Sequence, residues 1–122
     1  MSPHPERVQD YLEHILEALE RIQRYTAGKS VDEFLSSTLL QDGVLRNLGI
    51  IGEATHRLLA EAPEFVARHP EIPLAKIYAT RNRITHAYEE VDMEIVWNLV
   101  IFDVPALRPR IAAALEAFMK EG

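Results

Sequence analysis

Residues 5–26 read PERVQDYLEHILEALERIQRYT, and this segment is the clearest indication of the fold class. Its apolar side chains recur at alternating intervals of four and three residues, which places them on one stripe of an α-helix. These residues are Val8, Leu12, Ile15, Leu19 and Ile22. Charged residues fill about half of the other positions, so the segment predicts an amphipathic helix from Pro5 to Thr26, with Gly28 as its stop.

The same spacing returns further along the chain and predicts more helices. A short helix is predicted to begin near Val31, and a long one to run from Asp42, as its N-cap, to Ala62. Pro63 ends the long helix and begins a loop, containing one helical turn, that extends to Pro73.

Two further helical regions are predicted in the second half of the chain. One runs from residues 73–74 to about Tyr88, since proline is tolerated at a first helical position. The other has Asp92 as its predicted N-cap. Pro105 and Pro109 are expected to kink or break this last region before a final helix near the C-terminus.

The last helical region is unusual because residues 95–102 are apolar on nearly every face. Such a helix must be buried on every face, which suggests that a partner subunit covers one side. Trp97 and Phe102 are the candidate anchors of that dimer interface. No strand-like alternation accompanies these helices, so we predict one all-α domain over residues 1–122: an antiparallel four- to five-helix bundle that is homodimeric.

Composition narrows the possible functions. The chain has 122 residues, no cysteine and a net charge of −6. The absence of cysteine excludes disulfides, thiolate metal sites and cysteine nucleophiles. The acidic balance means that any RNA contact must come from a local basic cluster or a dimer groove. Neither a signal peptide nor a membrane span is recognisable, so we expect a cytoplasmic protein without membrane contact.

The chemically most informative segment is RNRITHAY, residues 81–88. Arg81 and Tyr88 are seven residues apart and share the inward stripe of the predicted helix, whereas Asn82 and His86 share an adjacent face. In one interpretation Arg81 snorkels outward or pairs with a buried glutamate. In the other, Arg81 binds an anion while Asn82 orients His86 for proton transfer. Spacing alone leaves both interpretations open.

A second polar motif is Glu53-Ala54-Thr55-His56, a single Glu-x-x-His. A di-iron bundle needs two such motifs and two further carboxylates, so we expect a surface or interhelix polar pair here and no metal site. The aromatic residues (four Phe, four Tyr and one Trp) are scattered along the chain. The sequence therefore predicts no base-stacking surface.

The pattern Arg81-x4-His86-x-Tyr88 resembles the hallmark of the HepT toxins in the HEPN superfamily. Three further segments resemble the same family. They are YLEHILEA at 11–18, RNLGIIGEA at 46–54, and Val91-Asp92 followed by Val96-Trp97. The resemblance covers nearly the whole chain in the same order, which makes it far more specific than the Arg-x4-His motif alone.

The resemblance implies a HEPN-like homodimer whose two motifs face a shared cleft, and a ribonuclease that cuts RNA without a metal ion or other cofactor. It implies Arg81 and His86 as catalytic residues and a 2′,3′-cyclic phosphate as the product. Asn82 would hold the histidine, and Glu53 would support the site. It also implies a toxin silenced by an MntA-type nucleotidyltransferase antitoxin, which attaches AMP to Tyr88.

Two other functions stay open on the residues alone. The acidic charge and Glu89 would also suit a non-catalytic binding module that is the AMPylation substrate of a nucleotidyltransferase. The other open function is that of a nucleotide-binding helical bundle in which Arg81 binds a phosphate. The chain departs from the family pattern at Glu89, where relatives often carry an aromatic residue, and at Thr80, where they often carry methionine.

Overall fold

A computed structural model describes the backbone of residues 5–86 and 92–121, with all side chains in these ranges except those of residues 5, 6, 81 and 84–86. The elements are α1 (Pro5–Thr26), α2 (Val31–Ser36), α3 (Thr38–Glu61), α4 (Pro63–Arg68), α5 (Leu74–His86), α6 (Met93–Asn98), a π-helical segment (Leu99–Asp103) and α7 (Val104–Glu121). The predicted all-α class is confirmed. Within the described ranges, no helix has the length and apolarity needed to cross a bilayer.

Four long helices build the bundle: α1 packs against α3 and α7, and α5 packs against α3. The predicted apolar stripe of α1 is buried along its whole length. Val44, Ile51 and Leu58 of α3 and Ile111 of α7 are buried with it in one core. The 3.6-residue periodicity therefore identified the face of α1 that packs inward.

Polar contacts show that α1 and α3 run antiparallel, as predicted. Near the start of α1, the Tyr11 hydroxyl lies 3.0 Å from both carboxylate oxygens of Glu61, at the end of α3. Near the end of α1, Arg21 donates to the side-chain oxygen of Asn47 at 3.4 Å, in the first half of α3. The bond from Tyr11 lowers the pKa of the Glu61 carboxyl by favouring its ionised form.

The predicted start of α3 is wrong. The helix begins at Thr38, and its N-cap is Ser37, whose hydroxyl accepts from the Leu40 N–H at 3.1 Å. Asp42 lies inside the helix, one turn later than its true start. The serine satisfies a free backbone N–H before Asp42 can, so the helix begins earlier.

The last helical region keeps its predicted N-cap, since the Asp92 carboxylate accepts from the Glu94 N–H at 2.9 Å. The predicted break takes the form of the π-helical segment, in which the Val104 N–H donates to the carbonyl of Leu99, five residues earlier. Pro105 has no N–H and its ring crowds the carbonyl four residues before it, which a wider helical turn relieves. The final helix begins at Val104, before both prolines, and Pro109 lies inside it, so the break expected at Pro109 does not occur.

The apolar run 95–102 has a buried side and an exposed side. Trp97 is 8% exposed and packs against Phe34 of α2, with ring centroids 5.1 Å apart. The ring fills the core of its own chain and leaves little surface for a partner. Phe102 is 67% exposed, and Ile95 and Ile101 are also exposed. The exposed apolar surface of this run therefore contains Phe102 and these two isoleucines, and Trp97, a predicted interface anchor, contributes little to it.

Candidate functional site

The predicted catalytic motif lies on α5. Arg81, Asn82 and His86 belong to this continuous helix, and Tyr88 lies outside the described residues. Arg81 and His86 are five residues apart, which corresponds to about 7.5 Å along the axis and about 140° around it. The backbone thus sets both residues on one rigid element, with Asn82, which is partly buried, between them.

α5 is a basic helix in an acidic chain. It contains Lys76, Arg81 and Arg83, and no aspartate or glutamate. Lys76 and Arg83 are exposed. Lys76 and Arg83 are seven residues apart and share one face of α5, which gives the acidic chain a local concentration of positive charge there.

A pair of stacked rings joins α5 to α3. The ring centroids of His56 and Tyr78 are 5.0 Å apart, and their planes are inclined by 20°. His56 makes the interhelix contact with its ring and is exposed, whereas Tyr78 is partly buried. The contact fixes which flank of α5 faces which flank of α3.

Three predicted site residues, Asn82, His86 and Glu53, lie on the helix faces that the stack joins. Tyr78, Asn82 and His86 are spaced by four residues and lie on one stripe of α5. Glu53 and His56 are three residues apart and lie on one face of α3. We call the surface formed by these five positions the α3–α5 seam.

Glu53 is already engaged within α3. Its carboxylate accepts from the Arg57 Nε at 3.2 Å, and a second nitrogen of Arg57 lies 3.5 Å from Glu61. The arginine offsets the negative charge of Glu53 beside the seam. Within the described part of the chain, no three histidine, aspartate or glutamate side chains converge on one point.

A cavity of about 220 Å³ opens on a different flank of α5. Ile77 and Thr80 of α5 line it together with aliphatic side chains of α1, α3 and α7, and Lys76 and Arg110 add charge. Around the helix axis Ile77 and Thr80 lie about 100° and about 160° from Tyr78. The cavity and the α3–α5 seam are therefore two separate surfaces.

Sequence reasoning did not single out Tyr78, and it placed His56 in a surface or interhelix polar pair rather than in a ring stack. The signal in the sequence was the four-residue spacing of Tyr78, Asn82 and His86. The partnership of His56 and Tyr78 has no counterpart in a linear pattern, because the two residues lie on different helices.

Comparison with known proteins identifies a family. A family model described as “Ribonuclease HepT-like” matches residues 15–114, which include most of α1, all of α3 and α5, and the start and middle of α7. The match therefore covers both helices of the α3–α5 seam. No solved structure matches the chain.

Three relatives illustrate the range of similarity. “Gamma-glutamylcyclotransferase and putative RNase” of Methanocaldococcus jannaschii is 37% identical over 113 residues, which make up 93% of this chain and 50% of that protein. “Probable ribonuclease HepT” of Thermococcus cleftensis is 38% identical over 99 residues, or 81% of this chain and 87% of that protein. “Putative RNase” of Caldanaerobacter subterraneus is 31% identical over 106 residues, which make up 87% of this chain and 92% of that protein. The chain thus spans half the length of the first relative and most of the other two.

Proposed function

Because the chain belongs to the HepT-like ribonuclease family, we propose that it is an endoribonuclease whose catalytic residues are Arg81 and His86. One observation carries this proposal: the two residues stand five positions apart on a single helix that has three basic residues and no acidic one. A guanidinium and an imidazole held by one rigid element can address the same phosphodiester without a metal ion.

The proposed reaction is an internal attack by ribose on phosphate. The His86 imidazole takes the proton from a 2′-hydroxyl, and the 2′-oxygen forms a bond to the adjacent phosphorus. The bond from phosphorus to the 5′-oxygen of the next nucleotide breaks, and that oxygen takes up a proton from the imidazolium. Arg81 stabilises the charge that builds up on the non-bridging oxygens. The products are a 2′,3′-cyclic phosphate and a 5′-hydroxyl end.

The test is cleavage of end-labelled single-stranded RNA by the purified chain in the presence of EDTA. We expect cleavage to continue, because protein groups alone move the proton and stabilise the phosphate, and we expect fragments ending in a 2′,3′-cyclic phosphate. Mass spectrometry of the fragments identifies the ends. Activity that requires an added divalent ion, or fragments with 5′-phosphate ends, would contradict the mechanism.

The proposed active form is a homodimer in which two motifs face a shared cleft. The exposed side chains of Ile95, Ile101 and Phe102 support it, because they leave an apolar face on α6 and the π-helical segment uncovered by the chain itself. Phe102 is the expected anchor of this interface, as a large aromatic side chain that is free to insert into a partner.

We further propose that the chain is the toxin of a toxin–antitoxin pair, silenced by an MntA-type nucleotidyltransferase that attaches AMP to Tyr88. The added phosphate would bring negative charge and bulk close to Arg81 in sequence and compete for its guanidinium. Asn82 and His86 would lose access to RNA through the same bulk.

Intact-protein mass spectrometry after co-expression with such a transferase tests the silencing proposal. We expect the wild-type chain to gain the mass of AMP and the Tyr88→Phe variant to gain none, because the variant lacks the acceptor hydroxyl. The modified chain is expected to lose its RNA cleavage. An unmodified wild-type chain, or equal modification of Tyr88→Phe, would contradict the proposal.

A further inference from the structure

The stacked rings of His56 and Tyr78 have a feature that an ordinary core contact lacks. His56 is exposed even though one face of its ring rests on Tyr78, so the residue keeps surface that a ligand can reach. The contact holds the imidazole plane parallel, within 20°, to a ring that is itself partly buried between two helices. An exposed aromatic ring whose orientation is held by a second ring is a preorganised surface on which another flat ring can stack.

The position of the stack relates it to the proposed catalytic residues. Tyr78 shares the stripe of α5 with Asn82 and His86, and lies about 6 Å and about 12 Å from them along the helix axis at 1.5 Å per residue. Successive nucleotides of a stacked strand rise by about 3.4 Å. The stack therefore lies about three to four nucleotides from a phosphodiester held at His86.

The side chains near the stack present little negative charge to a nucleic acid. α5 has no acidic residue, and its exposed cations Lys76 and Arg83 lie on a different flank of the helix, about 140–160° around the axis from Tyr78. Glu53, the acidic residue of the α3–α5 seam, is paired with Arg57 at 3.2 Å, which reduces its repulsion of a phosphate.

From these observations we infer that His56, backed by Tyr78, is a nucleobase-binding site: a base of single-stranded RNA stacks on the exposed face of the His56 ring. The inference rests on the proposed function for its RNA substrate, and it assigns to that substrate a contact away from the reacting phosphate. Stacking of this kind accepts every base, because each has a flat π-face, so the site promotes binding without selecting a sequence.

Binding of a non-cleavable oligonucleotide tests the inference. We would measure fluorescence anisotropy of a labelled single-stranded 2′-O-methyl RNA with the wild-type chain and with two variants, His56→Leu and His56→Phe. Loss of one stacked base corresponds to roughly a tenfold weaker Kd. His56→Leu is therefore expected to weaken binding about tenfold, while the flat ring of His56→Phe keeps the Kd within about threefold of the wild type.

His14→Leu is the matched control, because His14 is an exposed histidine on α1 and is remote from the seam in sequence. Its Kd is expected to equal that of the wild type. Thermal unfolding of each variant establishes that it folds, and Tyr78→Leu, which removes the support behind the imidazole, provides a second way to weaken binding. Equal Kd values for His56→Leu and His56→Phe would overturn the inference.

An oligonucleotide that contains one abasic position adds a readout that a purely structural role of His56 does not change. Moving the abasic position along the strand should reveal one place where the wild-type Kd rises about tenfold and the His56→Leu Kd does not. An equal abasic penalty in both proteins would overturn the base-stacking site while leaving the cleavage proposal intact. Conversely, if the chain does not cleave RNA in EDTA but still shows the abasic penalty at His56, the cleavage proposal would be overturned and the base-stacking site would stand.

Discussion

The His86→Ala variant is expected to cleave RNA about 10²–10⁴-fold more slowly than the wild-type chain, which is the range that a positioned acid–base group contributes. Alanine cannot accept the 2′-hydroxyl proton, and the attacking oxygen would have to lose it to water instead. The rate should be measured in single turnover with the enzyme in excess, so that the chemical step is observed rather than product release.

Two controls make the His86 experiment specific. His14→Ala removes an exposed histidine of α1 and should leave the cleavage rate within about twofold of the wild type. Circular dichroism should show that His86→Ala keeps the helical content of the parent chain. A folded His86→Ala protein that cleaves within threefold of the wild-type rate would exclude His86 as the general base.

The second large effect is expected at Arg81. Replacing a preorganised donor to the transition-state charge costs about 10²–10³ in kcat, so Arg81→Ala should fall in that range. Arg81→Lys keeps the charge and loses the planar pair of donors, and it should recover only part of the activity. Both kcat and KM should be measured, because the loss is predicted mainly in kcat.

Arg83→Ala is the matched control for Arg81. Arg83 lies two residues further along α5 and is exposed, about 200° around the helix from Arg81. Its removal takes one cation from the RNA-binding surface and should raise KM while leaving kcat nearly unchanged. Equal losses of kcat in the Arg81 and Arg83 variants would indicate a general charge effect and would contradict a catalytic role for Arg81.

Much of the fold could be predicted because local signals agree with tertiary packing. The apolar residues of α1 occur at consistent intervals over about four turns, and the predicted bounds, Pro5 to Thr26, coincide with the observed helix. Gly28 has a positive φ of 73°, as a helix stop requires. Asp92 also caps its helix as predicted.

The errors arose where neighbouring elements share a residue or where packing modifies a helix. Ser37 is both the C-cap of α2 and the N-cap of α3, so only one residue separates the two helices. The sequence pattern does not reveal so short a gap, and it predicts that α3 begins later, at Asp42. The interruption expected near Pro105 takes the form of a π-helical turn, and the helix after it continues through Pro109. Neither outcome follows from periodicity alone, because both depend on how adjacent segments share backbone hydrogen bonds.

The candidate site could be predicted only in part. The Arg81-x4-His86 spacing identified the helix that carries the proposed chemistry, and Glu53 was assigned a supporting role from the family pattern. The contribution of Tyr78 depends on its contact with His56, which is 22 residues away in the sequence. Contacts between helices are set by packing, so the His56–Tyr78 stack, on which the proposed base-stacking site depends, could not be predicted from the scattered aromatic residues.

The most direct test of the central claim, that Arg81 and His86 act on the same phosphodiester, is the cleavage rate of the Arg81→Ala/His86→Ala double variant. Groups that act as a unit show strongly non-additive losses. The double variant is therefore expected to cleave no more slowly than the slower of the two single variants, within about threefold. A rate lowered by the product of the two single losses would mean that each residue acts independently, and would contradict the claim.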